Sequence, residues 1–236
     1  MDPQDAGRVR FDFEASLKPS RPKGLPKFLQ VDRCVNRLFA SLIVRAVLGT
    51  SVRPNHLTVA AFVISAAGAA AFLGGTHRSF ILAAVLLYAG TVLDGADGML
   101  ARTRNLCTRS GAYLDLSLDR VTDFLVLGGM VTGYYFQSGR RGFYILSLFG
   151  LAAYMLQIIL YYLEREYRGL RTGPGASGDF RGLVYLGIFV FALVDRLDIV
   201  ISILLCVPAL AIPYRLVRIV IDKRPADPSP PPPAAP

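Results

Sequence analysis

Residues 93–120 read LDGADGMLARTRNLCTRSGAYLDLSLDR. Four carboxylates in this run, Asp94, Asp97, Asp115 and Asp119, lie beside or inside apolar stretches long enough to enter a membrane. Acidic groups at membrane depth are costly, so they face an interior site and not lipid. Four of them together call for a counter-charge, and a divalent metal supplies one.

Working outward, the 236-residue chain is 53% hydrophobic, with a mean hydropathy of +0.44. That is too apolar for an ordinary soluble domain. Apolar runs recur at Leu57–Gly75, Ser79–Leu93, Phe124–Gly139, Phe143–Leu163, Gly182–Val194 and Ile199–Tyr214. A helical span needs roughly 20 residues. The second and third runs reach that length only by including the acidic residues, so the motif must lie inside the helices. The fifth run is short. The sixth extends past Arg215 and Arg218 if those side chains snorkel, and Pro208 and Pro213 should kink it. The reading is an all-α integral membrane protein with six transmembrane helices.

Residues 25–51, ahead of the first span, predict an amphipathic interfacial helix. Val31, Val35, Leu38 and Leu42 make its apolar stripe, and Arg33 and Arg37 share another face. Pro54-Asn55 breaks the chain there, with Asn55 expected to cap the next helix. Residues 1–24 read as a flexible polar N-terminus. Residues 52–221 form the six-helix domain, and 222–236 form a disordered Pro-rich tail. Thr172–Asp179 is a Gly-rich turn.

Six spans put both termini on one side, and the basic residues choose it. The segment through His56 holds ten Lys and Arg. Arg102, Arg104 and Arg109 lie between the second and third spans, and Arg165, Arg168, Arg171 and Arg181 between the fourth and fifth. The other side has only Arg78, Arg140, Arg141 and Arg196. The positive-inside rule therefore places the termini and the motif at the cytoplasmic face, in a bacterial or archaeal plasma membrane. The net charge of +9 is mostly this topology signal, with attraction to anionic membrane lipids added. No motif supports a nucleic-acid partner. The first 18 residues lack the apolar core of a signal peptide. Cys34, Cys107 and Cys206 form neither a disulfide framework nor a zinc site, and His56 and His77 read as interfacial polar residues.

On two helices the motif makes geometric sense. Asp94 and Asp97 are three apart and share a face, as do Asp115 and Asp119, four apart. Residues 103–110 make the turn, so the helices run antiparallel. Asp94 and Asp119 each lie about 12 Å from the turn at about 1.5 Å per residue. Asp97 and Asp115 are also level with each other. Two carboxylates then face two, which suits a pair of ions about 3.5–4 Å apart. Gly98, Ala101 and Gly111 let the helices approach and leave bare backbone for a ligand. Arg102 at the mouth suits a phosphate oxygen. Together these residues describe a pocket for a diphosphate.

The run Asp94-x2-Asp97-Gly98-x2-Ala101-Arg102-x8-Gly111-x3-Asp115-x3-Asp119 resembles the full signature of the CDP-alcohol phosphotransferases, with all eight fixed positions present. Pro54-Asn55-His56-Leu57-Thr58 resembles the Pro-Asn-x-x-Thr stretch that often opens the family's first span. The resemblance covers roughly residues 25–221. It implies a membrane transferase that moves a substituted phosphate from a CDP-linked donor, such as CDP-diacylglycerol, to the hydroxyl of a polar alcohol, releasing CMP. It implies Mg2+ or Mn2+ in a two-metal site on Asp94, Asp97, Asp115 and Asp119. Asp119 would be the catalytic base, and Gly98, Ala101, Arg102 and Gly111 would line the CDP site. A homodimer is implied as well.

Asp119-Arg120 with the further acid Asp123 is most similar to the inositol-phosphate-using and archaeal-type members. Arg165, Arg168 and Arg181 would then hold an acceptor phosphate. A CDP-polyol phosphotransferase with a different, soluble acceptor and a phosphatidylglycerolphosphate synthase are the alternatives within the class. Outside the class, they are an intramembrane prenyltransferase and a cation transporter.

Overall fold

Polar caps and glycines, more than apolar content, decide where these helices stop and how closely they pack. The structure, a computed structural model, describes residues 31–167 and 180–221. They form α1 (Val31–Val47), α2 (Pro54–Phe72), α3 (His77–Thr103), α4 (Arg109–Ser138), α5 (Arg141–Tyr167), α6 (Phe180–Leu193) and α7 (Leu197–Ile221). The expectations for residues 1–24, for the Gly-rich turn and for the Pro-rich tail lie outside the described residues.

The ends have chemical causes. Thr76 caps α3 by accepting from the Ser79 N–H at 3.2 Å, while the Thr76 N–H donates to the Ser79 hydroxyl at 3.1 Å. This reciprocal pair satisfies two otherwise orphaned donors. Thr108 caps α4 by accepting from the Gly111 N–H at 3.0 Å. Gly139, at φ 65°, ends α4 in the left-handed conformation that glycine adopts without penalty. At α2 the expected Asn55 cap is not formed. Pro54 opens that helix instead, and the Arg53 N–H donates to His56 Nδ1 at 3.3 Å. Pro54 already fixes φ for the first turn and has no N–H to satisfy, which moves Asn55 inside the helix.

The central element is α2, which packs against both α3 and α4. A Cβ at Gly90 of α3 would come within 2.1 Å of Ser65 Oγ. On α4, Gly129 and Gly133 are spaced as a Gly-x3-Gly pair, and a Cβ on them would meet the carbonyl oxygens of Ala69 and Phe72 at 2.4 and 1.9 Å. Backbones approach this closely only where the side chain is missing. Outside this trio, α6 packs on α3, α5 on α4, and α7 on α5 and α6. One buried cluster runs through Phe72, Phe80, Leu87, Val126, Met130, Ile188 and Ile201.

Helix α1 has two apolar faces. Ala40 and Val44 are buried against Ala96, Met99 and Leu100 of α3. Val35, Leu38, Phe39 and Leu42, on the opposite side, are exposed; Val35, Leu38 and Leu42 belong to the apolar stripe expected from the spacing.

Among the described residues, four helices are long and apolar enough to cross a membrane: Pro54–Phe72, His77–Thr103, Arg141–Glu164 and Leu197–Arg218. The last is helical through both Pro208 and Pro213. Arg215 pairs with Glu164 at 2.9 Å and lies over the Tyr161 ring, so its charge is met by protein and not only by snorkelling. The 30-residue α4 carries Asp115, Asp119, Arg120 and Asp123 in its first half, and α6 has 14 residues.

Gly133→Ala should lower stability by about 1–3 kcal/mol through overpacking. Gly142→Ala, where a Cβ has nothing within 4 Å, serves as the control. Thermal unfolding in detergent measures both, and equal melting temperatures would contradict the close α2–α4 approach.

Candidate metal and nucleotide site

The residues of the 93–120 run fold onto two adjacent helix ends. Asp94 and Asp97 are on α3 and Asp115 and Asp119 on α4, with residues 104–108 as the turn between them. Asp94, Asp97 and Asp115 each bring a carboxylate oxygen within 4.8 Å of the other two. Asp97 is buried, and Asp94 and Asp115 are half-buried. Asp119 lies one turn further along α4, outside this cluster of three.

Three like charges at this spacing repel strongly. At 4.8 Å and an effective dielectric constant near 20, each ionised pair costs about 3 kcal/mol. A bound cation reverses that sign. An oxygen-only donor set from carboxylates suits a hard divalent ion such as Mg2+ or Mn2+ better than a soft one. The residues present therefore fit a divalent metal.

Asp97 is oriented by a partner from the third helix. Thr58 Oγ1 of α2 donates to Asp97 Oδ2, and both residues are buried. Such outer contacts fix the direction in which a ligating carboxylate presents its oxygens.

The small residues of the signature have polar neighbours. The Arg102 guanidinium folds over Gly98, its Nη1 3.2 Å from the position a Cβ would occupy. Gly111 is flanked by Thr108 Oγ1 at 2.9 Å and Asn55 Oδ1 at 3.2 Å from its own Cβ position. Ala101 is half-buried and Arg102 exposed at the end of α3. The mouth of the site thus joins a cation, main chain without side chains, and polar groups from α2.

Beyond the cluster, Arg120 reaches Asp119 with Nη2 at 3.9 Å and Asp123 with Nη1 at 3.0 Å. Asp123 is 2% exposed and accepts from the Tyr185 hydroxyl of α6 at 2.8 Å. Arg181 stands one turn before Tyr185 in α6, and Arg165 is in the last turn of α5. Arg168 falls outside the described residues.

Residues 51–214 match the CDP-alcohol phosphatidyltransferase family. The chain belongs to that family. Among CDP-alcohol phosphatidyltransferase relatives, the bifunctional IPC transferase and DIPP synthase of Archaeoglobus fulgidus is 29% identical over 156 residues, covering 66% of this chain and 29% of that protein. The archaetidylinositol phosphate synthase of Pyrococcus horikoshii is 32% identical over 108 residues, covering 46% of this chain and 52% of that protein. The matched region is thus less than two thirds of either relative's length. The crystal structure of Mycobacterium tuberculosis phosphatidylinositol phosphate synthase with CDP-DAG bound is similar at a TM-score of 0.60 and 25% identity, over 77% of this chain and 92% of that one. The structure of that protein with manganese and citrate gives a TM-score of 0.62, over 77% and 88% of the two chains.

Two residues in and beside this candidate site carry no catalytic signal in the motif itself. Thr58 belongs to the Pro-Asn-x-x-Thr stretch, yet nothing in its local sequence points to Asp97, 39 positions away. Asp123 was visible only as a further acid, and its Tyr185 partner lies 62 positions on.

Thr58→Val keeps the shape and removes the hydroxyl. It should weaken divalent metal binding, or activity, by about 10–100-fold. A Mn2+ titration of the purified protein checks this, and an unchanged affinity would remove Thr58 from the site.

Proposed function

We propose that this chain transfers a phosphatidyl-type group from a CDP-linked lipid to the hydroxyl of a polar, phosphorylated alcohol and releases CMP. The observation that carries this reading is the convergence of Asp94, Asp97 and Asp115 from two helices, beside Arg102 and Gly111 of the same signature, in a chain of this family. The CDP-DAG bound to the similar M. tuberculosis protein supports a CDP-lipid donor here.

Each residue has a role in the proposal. Asp94, Asp97 and Asp115 hold Mg2+ or Mn2+, with Asp119 completing a two-metal site. When bound, the metal neutralises the diphosphate and makes CMP a better leaving group. Arg102 holds a diphosphate oxygen with its guanidinium fork. Gly98, Ala101 and Gly111 admit the nucleotide against bare backbone. Asp119, outside the cluster of three, takes the proton from the acceptor hydroxyl. The acceptor oxygen then bonds to the phosphorus that carries the lipid, the diphosphate bridge breaks, and its electron pair leaves with CMP. Asp119 stands outside the cluster of three, so one of its oxygens can face the second ion while the other takes the proton.

For the acceptor we infer inositol phosphate, held by Arg165, Arg168 and Arg181. Tyr185 on Asp123 supports this for Arg181: one turn back along α6 from Tyr185 is Arg181, and one turn back along α4 from Asp123 is Asp119. The named activities of the archaeal and mycobacterial relatives point the same way.

The wider proposal is six spans, with α4 and α6 added to the four long apolar helices. Both termini and the site face the cytoplasm of a prokaryotic cell, and two copies form a homodimer. Helix α6, at roughly 21 Å by its rise per residue, would cross only with its flanking segments.

Purified protein given CDP-diacylglycerol, Mn2+ and a panel of inositol phosphate, inositol and glycerol phosphate should release CMP and form the phosphorylated-inositol lipid, read by mass spectrometry. Arg181→Ala should raise the acceptor KM about tenfold, the loss of about one charge-assisted hydrogen bond, with the donor KM unchanged. No CMP release from any CDP donor would overturn the activity, and selective use of another alcohol would overturn the acceptor. For topology, exposed Cys107 should react with impermeant maleimide in inside-out vesicles and not in intact cells.

A further inference from the structure

We propose that Arg104 is a positioning residue for the donor side of the site, acting through the connection between α1 and α2. The idea rests on the donor reading above, because the end it positions is the one assigned to the nucleotide.

By sequence Arg104 is one more positive-inside charge. Its surroundings are different. Nη1 donates to the Val52 carbonyl at 2.5 Å, and Nη2 donates to the carbonyls of Val47, Leu48 and Thr50 at 3.0, 2.7 and 2.8 Å. One guanidinium therefore gathers four main-chain oxygens spanning the end of α1 and the whole approach to α2. The last carbonyls of a helix have no partner within it, so Arg104 closes α1 from outside. The connection is also folded on itself: the Thr50 hydroxyl donates to the Val47 carbonyl at 2.7 Å and accepts from the Val52 N–H at 3.2 Å.

Arg104 ends α3, two residues beyond Arg102. Its four contacts therefore lock the height of the α1–α2 connection to the helix that carries Asp94 and Asp97. Two residues past Val52, Pro54 starts α2 with a fixed φ. Asn55, beside Gly111, and Thr58, on Asp97, follow within the first turn and a half. A shift of the connection has no slack in which to dissipate before it reaches both. The same contacts hold the C-terminal end of α1, whose Ala40 lies 3.7 Å from the Cβ position of Gly95, the neighbour of Asp94. Lysine would keep the charge and the topology signal. It offers a single point donor in place of a planar fork with two terminal nitrogens, so it cannot serve carbonyls on both sides.

The test uses the full chain in detergent, with Arg104→Lys and Arg104→Ala. Two readouts are taken: CMP-release kinetics, and the maleimide labelling rate of a Ser51→Cys reporter in the connection, quantified on its own peptide. Both substitutions should raise the donor KM about tenfold, the low end of the effect of losing an outer contact such as Thr58 on Asp97, and leave the acceptor KM within about twofold of the parent. Labelling of the reporter should accelerate in parallel, and added guanidinium ion should restore Arg104→Ala but not Arg104→Lys. Faster labelling with an unchanged donor KM would overturn the positioning role, and unchanged labelling would overturn the tether. Should Arg104→Ala fail to fold, the donor KM of Arg104→Lys decides. Absence of CMP release from the parent protein would sink the donor reading, whereas the labelling rates would still report the tether.

Discussion

The molecule is organised around like charges forced together in an apolar setting. Asp94, Asp97 and Asp115 bring oxygens within 4.8 Å of one another on two helices, of which α3 is long and apolar enough to cross a membrane. Left to themselves, carboxylates so placed would move apart. A cation turns the repulsion into a binding energy, and the scaffold's task is to keep the three groups from moving apart in its absence. Structure and proposed chemistry therefore meet in one constraint, which is that α3 and α4 cannot splay.

That constraint explains where the glycines are. Helix α2 stands between α3 and α4 and touches each across positions that lack a side chain, Gly90 on one side and Gly129 and Gly133 on the other. Contacts of this closeness gain dispersion energy over a long seam and suit a lipid environment, in which burial of apolar surface drives association weakly. The same helix carries Thr58 to Asp97 and Asn55 to the edge of Gly111. It is at once the spacer that sets the distance between the acidic helices and a source of polar contacts to the site. The far side is tied by a different device, the hydrogen bond from Tyr185 of α6 to buried Asp123 of α4.

Legibility in the sequence followed the range of the interaction. Spacings of three and four residues put Asp94 with Asp97 on one face, and the helix bounds agree with the turn expected at 103–110. The apolar stripe of α1 was readable from the same periodicity. Expectations failed where two local solutions compete, as at the start of α2, where Pro54 displaces Asn55 from the cap. They were incomplete where a residue has two kinds of use. Arg104 counts toward a charge bias between loops and Arg215 reads as a snorkelling residue, but one binds four carbonyls and the other pairs with Glu164.

By itself, then, the chain determined its helical periodicity, its apolar runs, the acidic signature and the family to which that signature belongs. All of these are written in separations of a turn or two, or in composition. Tertiary structure decided which carboxylates converge and that a threonine 39 positions away orients one of them. It also decided that an arginine bridges 52 to 57 positions back to the end of α1 and its connection to α2. The reason is geometric. A helix constrains only its own neighbours at three and four residues, while the distance between two helices is set by the side chains missing along their seam and by the few polar groups that reach across it.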